Sequence, residues 1–263
     1  MEALAGHPSQ VAQQGRSSGS QAADWPTLFH VTHWKAGSQW VHRILRQCAP
    51  GRIVDSEVGE GQFLSRPIVA GHVYPTVYVT RQQYEFVAKP AGSRFFYMLR
   101  DLRDTLISAY FSLKISHPVV DPAIDRWRAE LHARPLNDGL IYLMDEWLPY
   151  CSRIQESWLG VSGPQVIRYE ELLRDDVRIL RRVLLDVCAM PVAPRQLEEI
   201  ILAHRFERLS GGRARGQENP AAHERKGIAG DWRNYFDAHV KGAFKDRFGA
   251  LLVATGYEQT FDW

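Results

Sequence analysis

The chain opens its readable pattern with Leu28-Phe29-His30-Val31-Thr32, short, largely apolar and β-leaning, as a buried strand would be. A helical repeat follows, with Trp40, Val41, Ile44, Leu45 and Cys48 returning at spacings of about four. Residues 67–72 (PIVAGH) read as a second short strand ending in a histidine, and residues 94–99 (RFFYML) as the clearest buried strand of all. After it, Leu102, Leu106, Tyr110 and Leu113 share one helix face with Ile107 and Phe111 alongside, and Asp101 and Asp104 suit that helix's positive end. A strand over 165–169 precedes a helix over about 175–188, and helical stretches are expected near 122–132, 138–158 and 195–204.

Strands alternating with helices predict an α/β fold, a mainly parallel sheet with helices on both faces. Ligands of such sheets bind beyond the carboxyl ends of the strands, where Lys35, His72, Arg100 and Tyr169 are expected. Residues 1–24 are rich in Gly, Ser, Gln and Ala with almost no large apolar side chain, so a disordered tail is expected ahead of one domain spanning 25–263. Residues 210–224 (SGGRARGQENPAAHE) cannot carry a core; they read as a surface loop or, functionally, as a mobile lid.

Composition narrows the partners. A net charge of +2 argues against a strongly basic nucleic-acid binder, so any anion site must be local. Three widely spaced cysteines, Cys48, Cys151 and Cys188, form neither a metal-ligand cluster nor a disulfide framework, which fits a reducing cytoplasm. No apolar window reaches membrane-spanning length, and no signal peptide opens the chain. Aromatic residues at 11% suffice to line an acceptor pocket as well as a core.

The candidate chemistry starts at residues 32–40, THWKAGSQW. A strand, a short glycine-containing turn and a helix start make an anion site, because the first helical amides lack internal partners and carry partial positive charge. Gly37 permits close backbone approach, Ser38 can cap the helix and donate to an oxyanion, and Lys35 adds a full charge. The nucleoside-triphosphate loop GxxxxGK[ST] places its lysine after the second glycine, which this segment does not. Taken alone, the window is equally well explained as an ordinary strand-to-helix turn with a surface lysine.

Three segments together resemble the cytosolic-type sulfotransferase family, in a bacterial-like form. THWKAGSQW resembles the family's 5′-phosphosulfate loop TYPKSGTTW, identical at Lys35, Gly37 and Trp40, conservative at Ser38, and different at His33, Trp34 and Gln39. Arg100 at a strand end with Ser108 eight residues on has the spacing of the 3′-phosphate element. Residues 225–232, RKGIAGDW, match the family's late RKGxxGDW without departure, and residues 169–173 (YEELL) resemble its YEDL element.

The resemblance implies a three-layer P-loop-like fold and a transferase (EC 2.8.2.-). It would move the sulfuryl group of 3′-phosphoadenosine 5′-phosphosulfate (PAPS) to a hydroxyl or amine of a small molecule, releasing PAP, with no metal. On this resemblance Lys35 neutralises the departing phosphate, while Ala36, Gly37, Ser38, Gln39 and Trp40 hold the 5′ end. Arg100, Ser108, Arg225, Lys226 and Gly227 grip the 3′-phosphate, Trp40 and Phe206 sandwich the adenine, and Tyr169 contacts its edge.

His72 is the general base by the same resemblance, so that His72, Lys35 and Ser108 form the catalytic set. Ala70 stands where human-type members carry a lysine. His30 and His33 are alternative bases, better placed for internal packing, and Trp40 by itself would read as core. Arg213 and Arg215 are expected to be solvated or to face the acceptor. The acceptor walls would come from residues 52–66, 74–90 and 115–147 together with the 210–224 segment, with Trp34, Phe63, Tyr74, Tyr78, Trp127 and Trp147 hinting at a flat or apolar acceptor. A small-molecule or natural-product tailoring enzyme, cytoplasmic and without membrane or nucleic-acid partners, is the expectation, with a homodimer among the open oligomeric states. The alternatives are a P-loop-type kinase or NTPase, or a catalytically silent PAP-binding module.

Overall fold

The structure, a computed structural model, describes residues 25–56 and 66–263. The tail expected over 1–24, and Phe63 among the acceptor aromatics, lie outside the described residues.

Strand β1 (Leu28–Thr32) is buried at every position and pairs in parallel with β2 (Val73–Val77) on one side and β3 (Arg94–Leu99) on the other. β4 (Val166–Arg168) pairs in parallel with β3, giving the order β2-β1-β3-β4. The crossovers run through helices α1 (Ser38–Cys48) and α2 (Arg81–Phe86), then α3 (Leu102–Phe111), α4 (Pro122–Ala133), α5 (Leu136–Glu146) and α6 (Leu148–Ser157). After β4 come α7 (Tyr169–Arg174), α8 (Asp176–Arg181), α9 (Pro194–Ala203), α10 (Phe206–Leu209) and α11 (Ala238–Ala254).

Strand alternation explains the layers. Leu28, Phe96, Met98 and Ile167 enter one core with Ile44 and Leu45 of α1, Leu180 of α8 and Ile201 of α9. Their sequence neighbours Phe29, Val31, Tyr97 and Leu99 enter the core on the opposite face with Ile154 and Trp158. A third cluster joins α3, α5, α6 and α11 around Leu106, Leu143, Leu148 and Phe244. This is the expected α/β arrangement, a parallel sheet between helical layers.

Two local expectations are corrected. Residues 67–72 are not a strand: β2 begins only at Val73, after a turn at Ala70 and Gly71, with His72 linking the two. Pro75 within VYPTV hides the strand, because proline cannot donate to a ladder; β2 is a sheet edge, where that loss is tolerated. The register also slips, Phe29 facing Tyr74 but Val31 facing Val77, so β2 carries one extra residue, with Thr76 at φ 56°. The single helical stretch expected over 138–158 is two helices broken at Trp147, just ahead of Pro149.

Candidate functional site

The strand order reverses about β1, whose chain passes first to β2 and then to β3 on the other side. A crevice opens at the carboxyl ends of the strands at such a point. Each strand end delivers one polar group to a single cleft of about 210 Å³: Lys35 after β1, Tyr78 after β2, Arg100 after β3 and Tyr169 after β4. Gly37, Ser38, Gln39, Trp40, Ser108, Phe206, Arg225, Lys226 and Gly227 line the same cleft. The three motif segments therefore converge, as the sequence implied.

The turn after β1 is built for an anion. Lys35 at φ 64° and Gly37 at φ 91° are both left-handed, so the chain turns sharply into α1. Among the described residues no protein group accepts from the amides of Gly37, Ser38 and Gln39. A Cβ on Gly37 would stand 2.7 Å from the Tyr169 ring, so the loop lies flat on that ring only because the residue is glycine. Burial, then the Arg100 and Arg225 charges, lower the Lys35 ammonium from its ordinary 10.5 to about 8. It is still mostly charged at neutral pH, and among the described residues no carboxylate pairs with it.

Arg100 is 7% exposed and fixed on three sides: its Nη1 donates to the Lys35 carbonyl at 2.9 Å, Asp104 lies 3.9 Å from Nη2, and the guanidinium stacks 4.4 Å from the Tyr169 ring centroid. Its Nε is buried with no hydrogen-bond partner among the described residues, an unsatisfied charged donor at the cleft wall. Ser108 is the one residue of α3 between Leu102 and Tyr110 that is not buried, and its exposed side is the cleft.

The late motif divides its labour. Arg225, Lys226 and Gly227 face the cleft, while Asp231 and Trp232 are buried. Asp231 accepts from Lys226 Nζ at 2.6 Å and from the Arg225 guanidinium, and these cations hold its carboxyl below the usual range despite burial. Asp104, at the start of α3, accepts from the amides of Gly230 at 2.6 Å and Trp232 at 3.0 Å. A Cβ on Gly227 (φ 66°) would stand 2.5 Å from Phe206, which therefore lies directly under the motif.

Several expectations change. His72 is not in the cleft: it sits ahead of β2, at the amino end of the sheet, its Nδ1 bonded to the Ala70 carbonyl at 3.0 Å. The base assignment to His72 fails on position, because the strand it was meant to end begins after it. Ala36 is buried in the core and its amide donates to the His33 carbonyl at 3.4 Å, so it does not line the site. The Trp40 amide likewise closes onto Gly37, leaving its indole as the part that faces the cleft. Ser38 does not cap α1; its hydroxyl pairs with Tyr78 at 2.7 Å.

His30 and His33 are internal. His30 stacks on Phe96, and His33 Nδ1 donates to the Trp34 carbonyl at 2.9 Å while Nε2 accepts from the Arg100 amide at 3.2 Å and from Gln155 at 2.8 Å. Residues 210–224 are folded back on the late motif, the Gly216 and Asn219 amides donating to the Lys226 and Arg225 carbonyls. Arg213 is spent inside that loop, on the carbonyls of Gln217, Glu224 and Arg225, whereas Arg215 lines the cleft.

The sequence singles out no role for Arg43, His117, His204, His223 or Glu224, all lining the cleft, although His117 falls in the expected 115–147 wall and His223 and Glu224 in the 210–224 segment. No motif marks them; Arg43 alone could have been found, one helical turn beyond Gln39 on α1. Among the described residues five guanidinium or ammonium groups beyond Lys35 (Arg43, Arg100, Arg215, Arg225 and Lys226) line the cleft with one carboxylate, Glu224, which pairs with Arg43, while Asp231 and Glu218 hold Arg225 and Lys226 from behind. Such a cleft binds a ligand with more than one anionic group.

Comparison with known proteins agrees. A family model described as a sulfotransferase domain matches residues 26–256. The chain is 25% identical over 188 residues to flavonol 3-sulfotransferase of Flaveria bidentis, covering 64% of this chain and 58% of that protein's length. It is 22% identical over 261 residues to sulfotransferase 2B1 of Homo sapiens, covering 90% of this chain and 68% of that protein. The fold superposes on mouse sulfotransferase SULT7A1 complexed with PAP at a TM-score of 0.59, with 18% identity and 88% of each chain covered. It also superposes on retinol dehydratase in complex with androsterone and inactive cofactor PAP at 0.51, with 13% identity, covering 86% of this chain and 80% of that one.

Proposed function

The chain belongs to the sulfotransferase-domain family, and from that premise we propose that it is a PAPS-dependent sulfotransferase acting on a hydroxyl or amine of a small molecule, with residues 25–263 as one catalytic unit. The observation that carries the reading is the convergence of Lys35, Arg100 and Arg225, from three separate segments, on one cleft. The residues fit a ligand phosphorylated at two ends. The free amides of Gly37, Ser38 and Gln39 beside Lys35 offer one anion cradle. The orphaned Arg100 Nε, with Ser108, Arg225 and Lys226, offers a second.

PAPS, when bound, supplies the sulfuryl group and departs as PAP. What the protein adds is placement and charge. Sulfuryl transfer resembles phosphoryl transfer in spreading negative charge over peripheral and leaving oxygens, so fixed donors and cations at those oxygens lower the barrier. Lys35 is placed to neutralise the leaving phosphate, and its left-handed backbone is held by the Arg100 bond to its carbonyl. Trp40 and Phe206 supply aromatic surface on the same cleft for the adenine, with Tyr169 already engaged by Arg100 and the Gly37 backbone. Trp34, stacked 4.8 Å from Tyr78, forms an aromatic wall suited to a flat acceptor.

The kinase alternative needs a strand-end aspartate available to a metal. Asp101 after β3 is instead bonded to its neighbour Arg103, and Asp104 to the late motif. Thermal-shift measurements separate the readings: stabilisation by PAP without magnesium is expected, and stabilisation by ATP only with magnesium would overturn the proposal. Mass spectrometry of an acceptor panel incubated with PAPS should then show the gain of one SO3. Lys35→Ala is expected to cut turnover by about 10²–10³-fold, the range for loss of one preorganised transition-state donor.

A further inference from the structure

A hydroxyl that attacks sulfur must lose its proton, and β2 brings Tyr78, not a histidine, to the cleft. The Tyr78 phenol cannot take that role: burial pushes its pKa up, and its hydroxyl is bonded to Ser38. Three histidines that no motif marks line the cleft with Lys35, namely His117, His204 and His223; His204 is buried, with its Nδ1 bonded to the Ile200 carbonyl at 2.8 Å. They differ in how they are held. His117 ends the π-helical turn Ser112–Ser116 that extends α3; its amide donates to the Ser112 carbonyl at 2.7 Å, and its carbonyl accepts from Arg128 of α4. Its backbone is thus tied to two helices, its ring is half-buried, and among the described residues no protein group bonds either ring nitrogen. His223 sits on the exposed part of the 210–224 loop.

We propose that His117 is the base that receives the acceptor's proton, an assignment that rests on the sulfuryl-transfer reading above. The acceptor's O–H (or N–H) bond breaks, its proton passes to an imidazole nitrogen, and its heteroatom bonds sulfur. The sulfur–oxygen bond to the donor phosphate breaks, and its electron pair stays on the phosphate oxygen beside Lys35.

The charges around the ring are consistent with that role. Burial, then Lys35, His223 and Arg128, lower the His117 pKa from 6.5, so the ring is neutral at pH 7, the form a base requires. Glu224, the one carboxylate lining the cleft among the described residues, acts on Lys35 and His223 in the opposite sense. A phosphorylated ligand beside Lys35 offsets the positive field and should move the His117 pKa upward.

The test uses the full chain labelled in its histidine rings, with the His117 resonance assigned by its loss in His117→Asn. Its NMR titration midpoint should lie below 6.5 in the free protein and rise by at least about half a unit with saturating PAP. In parallel, PAP release from PAPS with water as acceptor, which requires no knowledge of the natural acceptor, should fall by about 10²–10⁴-fold in His117→Asn. PAP-induced thermal stabilisation should stay intact in that variant, and His72→Asn should behave as wild type. A titration indifferent to PAP, unchanged PAP release in His117→Asn, or loss confined to His223→Asn would each overturn the assignment. Absence of PAP stabilisation in the wild type would instead overturn the sulfotransferase reading beneath it.

Discussion

His30 and His33, both on or beside β1, are built into the molecule as neutral groups. Among the described residues His30 has no hydrogen-bond partner at either ring nitrogen, and it lies nearly parallel to Phe96, 4.6 Å between centroids; burial lowers its pKa to about 3. Burial lowers that of His33 to about 4, and its two incoming donors at Nε2 fix the tautomer with the proton on Nδ1. The sign of the linkage follows. Between pH 6.5 and about 4 the unfolded chain binds protons at both histidines while the folded chain refuses them, so stability falls as the solution is acidified. Below that, His30 alone continues the loss toward pH 3. The midpoint of thermal unfolding should therefore drop steeply from pH 7 to pH 4.5. His30→Phe should flatten part of the slope without disturbing the cleft; an unchanged slope would show that the ring is hydrated in solution. His33 is a positioning residue, tying the loop that carries Lys35 to the end of β3 and to α6.

Elements decide how tightly the loop and the late motif can approach a ligand. Gly37 and Gly227 each combine a left-handed φ with an aromatic ring under the missing Cβ. Gly37→Ala adds backbone strain of about 1–3 kcal/mol and a clash with Tyr169, so PAP affinity should fall by at least tenfold in calorimetry while the far-UV circular dichroism is retained. Gly227→Ala should displace Phe206 and weaken PAP similarly, with little effect on the Lys35 loop. The regular elements were largely legible: β1, β3 and the helix after each follow from apolar runs and four-residue spacing, because their side chains face cores on both sides of the sheet. β2 was not. An edge strand containing Pro75 and one extra residue violates the alternation that marks a strand, so the sequence pattern points to the segment ahead of it and, with it, to His72.

At the scale of the whole molecule, the cleft wall proposed for the donor is completed only because the late segment is bolted onto α3. Asp104 is 1% exposed and takes the amides of Gly230 and Trp232, more than 120 residues away in sequence. Asp104→Ala should cost about 1–3 kcal/mol, the penalty for two buried amides left without acceptors. It should also loosen PAP through Arg225 and Lys226 rather than through Lys35. Chemical denaturation and PAP titration of the same variant check both halves, and unchanged PAP affinity would show that Asp231 alone organises the motif.

The sequence by itself determined the parts whose function is carried by neighbours along the chain. These are a strand turning through Lys35 and Gly37 into a helix, an arginine ending β3 two helical turns before Ser108, and the Arg225-Lys226-Gly227 triplet. Each is a short-range pattern, and short-range patterns survive in one dimension. Only the tertiary structure decided which histidines line the cleft, which amides are already spent, and that Tyr78 stands where a strand-end base was expected. The physical reason is that one extra residue in an edge strand shifts what lies at its end, and residues such as His117 and His223 become neighbours of Lys35 only when separate loops are packed over the same sheet end.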